Sequence, residues 1–145
     1  MCLCIIQVTI LTLAQLFWGP TVQTPSPVPS DSAVSLPFEI KNESVVPLAG
    51  VKYTCVLVSM QPRSGYSLKE IRSDYLSSSR VLWGRDSMTA RCDASFMMKG
   101  IPIKQAEYRL ELQYFALPWP FRRHAEYDFV FIPEPSGLTG KWMPK

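Results

Sequence analysis

Two runs in the second half of the chain alternate strictly between apolar and polar side chains. In Glu107–Phe115, Tyr108, Leu110, Leu112 and Tyr114 fall on one side, and Glu107, Arg109, Glu111 and Gln113 on the other. In Phe121–Ile132, Ala125, Tyr127, Phe129 and Phe131 oppose Arg122, His124, Glu126 and Asp128. A period of two puts successive side chains on opposite faces of a pleated strand, so both runs predict half-buried antiparallel strands. The turn-forming stretch Ala116-Leu117-Pro118-Trp119-Pro120 joins them into a hairpin with matched apolar faces.

Earlier runs follow the same rule. Val51–Met60 carries Val51, Tyr53, Cys55 and Leu57 on one face. Its other face, Lys52, Thr54, Val56, Val58 and Met60, turns apolar toward the end, which predicts cover on both sides there. Met88–Met97 aligns Met88, Ala90, Cys92, Ala94 and Phe96, and the short run Phe38–Lys41 is stopped by the turn-prone Asn42-Glu43-Ser44. Between Ser64 and Leu82 two readings stand. Ser67-Leu68-Lys69-Glu70 has capping-box spacing, with Leu68, Ile71 and Tyr75 on one helical face. A loop with a short edge strand competes, because Ser77-Ser78-Ser79 opposes a long helix. Strands near 38–41, 51–60, 88–97, 107–115 and 121–132, with one or two short ones between, predict an all-β, Ig-like antiparallel sandwich of about seven strands. Trp142, in the Pro- and Gly-rich tail 133–145, is a candidate lid on the sandwich edge.

Cys55 and Cys92 both fall on apolar faces, which predicts a disulfide between strands in an oxidising compartment. Two buried free thiols acting as small hydrophobes are the alternative. As a bridge, the pair closes a loop of nearly forty residues, for which chain entropy gives ~4 kcal/mol.

Organisation divides at two points. Residues 1–18 include the apolar stretch Leu3–Trp18, diluted by Gln7, Thr9, Thr12 and Gln15; the first charged side chain is Asp31. The stretch fits a secretory signal with a small-residue site at Thr12-Leu13-Ala14, or a membrane anchor, for which it is slightly short. Residues 19–37 are rich in Pro, Ser and Thr without a period, and predict an extended linker. Residues 38–145 then form the sandwich domain.

Composition changes little in this picture. A net charge of +3 with scattered basic residues does not argue for nucleic acid. Thirteen prolines against seven glycines, few inside the apolar runs, favour short strands and stiff loops over long helices.

Chemistry is sparse. With Cys2 and Cys4 in the leader, Cys55, Cys92 and His124 lack paired C-x-x-C spacing, so no metal site is expected. His124, the one histidine, alternates onto a polar face beside Arg122 and Glu126, which predicts a solvated side chain. The carboxylate pairs Asp86 with Asp93 and Glu126 with Asp128 read as polar-face residues. No glycine-rich phosphate loop is present, no cofactor is implied, and no catalytic residue is assigned. Pro118-Trp119-Pro120-Phe121-Arg122-Arg123-His124 is the recognition candidate, with Trp119, Phe121, Arg122 and Arg123 as partner-binding residues. Its bland counterpart has Trp119 and Phe121 capping the sandwich while the arginines solubilise it. Asn42-Glu43-Ser44 has the spacing of a glycosylation acceptor in an exposed turn.

Two stretches carry a family resemblance. Phe38-Glu39-Ile40-Lys41-Asn42-Glu43-Ser44, followed by Pro47-Leu48-Ala49-Gly50-Val51-Lys52-Tyr53, and Leu82-Trp83-Gly84-Arg85-Asp86-Ser87-Met88-Thr89 resemble exported bacterial Ig-like domains of the cell-adhesion-related (CARDB-like) kind. The resemblance covers about half of the domain, and implies a fold more than a task. The chain departs from that kind in its cysteine pair and in Ser44, where a Gly is usual. An antibody-type domain is disfavoured, since Trp83 lies just before the second cysteine, whereas those domains place their core Trp soon after the first.

The functional expectation is a non-catalytic binding or scaffolding module of the cell envelope or secreted fraction, docking a protein partner. The alternative is an accessory carbohydrate-binding module using Trp83, Trp119 and Trp142. A membrane tether through residues 3–18 accompanies the anchor reading.

Overall fold

The computed structural model describes residues 19–30, 35–73, 76–77, 80–93 and 101–145. The proposed leader, 1–18, lies outside them. The described residues form ten strands and no helix: β1 (Thr21–Gln23), β2 (Val28–Pro29), β3 (Ser35–Lys41), β4 (Leu48–Pro62), β5 (Leu68–Arg72), β6 (Leu76–Ser77), β7 (Ser87–Asp93), β8 (Ile103–Ala116), β9 (Arg122–Pro133) and β10 (Thr139–Pro144). They build an all-β antiparallel sandwich. One sheet has the order β1-β3-β7; the other runs β2-β10-β9-β8-β4-β5, with β6 also on β4.

The core follows the alternation. Tyr108, Leu110, Leu112 and Tyr114 of β8 and Phe129 and Phe131 of β9 are buried, facing Leu36, Phe38 and Ile40 of β3 and Ala90 and Cys92 of β7. Phe38 joins the layers, its ring 6.3 Å edge-on from Tyr108 and 5.1 Å from Phe129. Each such apolar side chain contributes about 1.5–3 kcal/mol on burial. Cys55 of β4 is disulfide-bonded to Cys92 of β7, with Cα atoms 5.7 Å apart, so the bridge crosses from one sheet to the other. A disulfide is compatible with an oxidising compartment.

β4 is longer than its alternating stretch. Its register on β8 shifts between Ala49 and Lys52 and again between Leu57 and Ser59. An extra residue reverses which face later side chains take. Leu48 and Met60 therefore join Val51, Tyr53, Cys55 and Leu57 in the core, and Met60 is not on the outer face that strict alternation assigned. Gly50, at φ +58°, supplies the left-handed backbone of the first shift, packed beside Phe115.

Two expectations change and one open choice is decided. The segment expected to be a linker is built into the sandwich: β1 pairs with β3, β2 pairs with β10, and β3 begins at Ser35. Pro37 is accommodated because β1 reaches only Glu39–Lys41, leaving that stretch of β3 without a partner on that side among the described residues. In the ambiguous region, Leu68–Arg72 is an edge strand on β4, not a helical turn. Trp142 is no lid: it belongs to β10, buried against Tyr108 and Phe131 at 5.4 and 5.5 Å. The predicted strand 88–97 is described to Asp93; its remainder lies outside the described residues.

Candidate functional site

Three connections meet at one end of the sandwich: 42–47 between β3 and β4, 82–86 before β7, and 117–121 between β8 and β9. Leu48 holds them in line, since it pairs with Ala116 on one side and bridges to Leu82 on the other. The Leu117 amide donates to the Pro47 carbonyl at 2.9 Å.

Asn42 is the hub of this end. Its side chain is buried, and its Nδ2 donates to the carbonyls of Val46, Leu82 and Trp83 at 2.8, 3.0 and 3.2 Å. Its Oδ1 accepts from the amide and hydroxyl of Ser44. Every polar atom of the side chain is thus engaged with backbone or Ser44. The expected glycosylation acceptor is overturned: the nitrogen that would carry a glycan is buried, with both of its hydrogens shared among three main-chain carbonyls. The Ser44 hydroxyl also accepts from the Val46 amide, closing the turn.

Around this rigid base, Val45, Trp83, Leu117, Trp119 and Phe121 are all exposed, Trp83 by 63% and Phe121 by 72%. Gly84 lets the turn bearing Trp83 sit directly on the neighbouring loop, because a Cβ there would lie 2.9 Å from the Ser44 carbonyl oxygen. Lys41, Arg80, Arg85, Arg122 and Arg123 lie in or beside the three connections along the chain, with the acidic Glu43 and Asp86. Lys41 pairs with Glu43 at 2.9 Å and Arg80 with Asp86 at 2.7 Å. The Arg122 guanidinium lies 5.2 Å above the Phe115 ring and donates to Gln113 Oε1. Arg123 interacts with the Tyr114 phenol, whose pKa is raised by burial against the opposing pull of that cation. Trp119, Phe121, Arg122 and Arg123, selected from the sequence, therefore share one end. Leu117 belongs to the same connection, whereas Val45 and Trp83 join through contacts distant in sequence, which no local pattern signals.

The remaining titratable candidates lie elsewhere. His124 Nε2 is 3.1 Å from Glu126 Oε1 on the open outer face of the large sheet. Glu126 and Asp128 both contact Arg109, at 3.6 and 2.7 Å. Asp86 and Asp93 sit before and at the end of β7, seven positions apart. A groove of about 340 Å³ on the outer face is lined by Val56, Val58, Glu70, Arg72, Arg109 and Glu111. There Arg72 makes a bidentate pair with the buried Glu111 at 2.8 and 2.9 Å.

Neither known protein families, nor curated proteins, nor solved structures gave a match to this chain.

Proposed function

We propose that the chain is a non-catalytic binding or scaffolding module of the cell envelope, exported, and that it docks a protein partner through the loop end. The observation that carries this reading is the grouping of Val45, Trp83, Leu117, Trp119 and Phe121 on a base fixed by Asn42. Exposed aromatic anchors beside arginines are the chemistry of protein-interface hot spots, and a preorganised base limits the entropy lost on docking. The disulfide across the sheets and the resemblance to exported Ig-like adhesion domains support the same assignment. A photo-crosslinking residue placed at Phe121 in the native cell is expected to give one discrete protein adduct, lost on Trp119→Ala. The same probe at Tyr66, which is exposed but outside the three connections, is expected to give none. Equal adducts from both positions, or none from Phe121, would overturn the reading.

A second reading keeps one specific observation. Trp83 and Trp119 stay exposed at the same end, which suits stacking on sugar rings, although Trp142 is spent on the core. Quenching of their fluorescence by a soluble polysaccharide, without a protein adduct, would favour it.

A further inference from the structure

The first described residues enter the domain at the loop end. Thr21 pairs with Lys41, the last residue of β3 before the Asn42 turn. Gly19 lies against the hydroxyls of Tyr114 and Tyr127, and the Tyr127 hydroxyl donates to the Pro20 carbonyl. Pro20 is buried. The preceding segment, Leu3–Trp18, is apolar and uncharged. Thus an apolar segment joins the body at the same end as the exposed aromatic side chains and their arginines.

From this juxtaposition we infer that the loop end rests on an anionic lipid bilayer, with Val45, Leu117 and Phe121 entering the interfacial layer and Arg85, Arg122 and Arg123 meeting headgroup phosphates. Tryptophan and other amphipathic rings favour the headgroup level, and basic side chains near an anionic surface add to the attraction. Charge complementarity points the same way: five basic side chains border this end against two acidic ones, both of which are ion-paired. The entry at Gly19–Gln23 lies at this end, so the apolar residues 3–18, read from the sequence as a signal or a membrane anchor, adjoin it along the chain. The inference rests on the loop end being the docking surface, and places the protein partner in the plane of the bilayer.

The test uses the full chain carrying Trp18→Phe, reconstituted into phosphatidylcholine–phosphatidylglycerol vesicles with bromine atoms just beneath the headgroups. Trp142 is buried in the core, leaving Trp83 and Trp119 as reporters. Emission is expected to fall relative to unbrominated vesicles, the fall shrinking with Trp83→Phe and with Trp119→Phe, and weakening in R122E/R123E. Equal emission in brominated and plain vesicles, with acrylamide still quenching both indoles from water, would overturn the inference. If crosslinks from Phe121 to a protein persisted in that case, the docking reading would stand and the bilayer contact alone would fail. Lipid quenching without any protein adduct would support the bilayer contact and remove the protein partner.

Discussion

The side-chain amide of Asn42 donates to the main-chain carbonyl of Trp83 at 3.2 Å, across forty-one positions of sequence. The same nitrogen holds Leu82 and Val46, so one side chain sets the spacing between two of the three connections that form the loop end. Asn42→Ala removes all of these bonds and takes the Asn42 Oδ1 acceptor from the buried Ser44 amide, while the three carbonyls keep the Ser44 hydroxyl and the Leu48 and Asp86 amides as donors; a loss of about 2 kcal/mol is expected. Asn42→Asp costs at least as much, because a carboxylate cannot donate to carbonyl oxygens. Thermal unfolding of the two variants measures this; unchanged midpoints would contradict the hub.

Gly84 tests the same base from the other side. An added Cβ would meet the Ser44 carbonyl oxygen at 2.9 Å and the Val45 Cα at 3.1 Å, backbone atoms that cannot swing aside. Gly84→Ala is therefore expected to separate the turn from the loop, at about 1–3 kcal/mol. The emission of Trp83 would shift with it, while the core near Trp142 would keep its near-ultraviolet dichroism.

The inner faces of β8 and β9 were legible because their periodicity is local and uninterrupted; each apolar residue assigned there faces the core. What was not legible depends on partners distant in sequence. Thr21–Gln23 reads as linker, since three residues become a strand only when Glu39–Lys41 lies alongside. The shifts in β4 that turn Leu48 and Met60 inward are set by its register on β8, not by its own pattern. At the candidate site the 119–123 run was visible as an aromatic–arginine cluster, but Asn42 read as an exposed turn residue. Its burial follows from the packing of Leu82 and Trp83 upon it.

Glu111 gives another case, since alternation places it on a polar face where solvation would be expected. It is nearly buried, and the half-exposed Arg72 of the edge strand covers it with two hydrogen bonds. Removing Arg72 leaves that carboxylate without its partner in partly dry surroundings. Arg72→Met is expected to cost about 2 kcal/mol, whereas replacing both residues by apolar ones costs less. A double-mutant cycle in urea gives the coupling; an additive result would show that the pair contributes nothing.

The Cys55–Cys92 bridge spans 37 positions and joins the two sheets. Its removal is expected to lower stability by ~4 kcal/mol on the chain-entropy estimate, against the 5–15 kcal/mol typical of a domain. Cys55→Ala with Cys92→Ala, compared with the parent in guanidinium, measures the difference. Alkylation of denatured, unreduced chain should leave both of these residues unmodified. Labelling of either would contradict the bridge.

Tyr108, Tyr114 and Tyr127 point their rings between the sheets, and burial raises all three phenols above their ordinary value near 10. Tyr127 is pushed up to about 12 by burial first and by neighbouring Tyr114 second. The folded state therefore holds these protons more tightly than the unfolded chain does. Their contribution is fully present below the unfolded value near pH 10 and is lost as pH rises through the folded values. Stability followed by urea unfolding should be insensitive to these phenols up to about pH 9 and fall steadily above pH 10. Tyr127→Phe should flatten the part of that fall between pH 10 and about 12, although it loses the hydrogen bond to Pro20. An equally steep fall in the variant would show that Tyr127 does not take part in the alkaline transition.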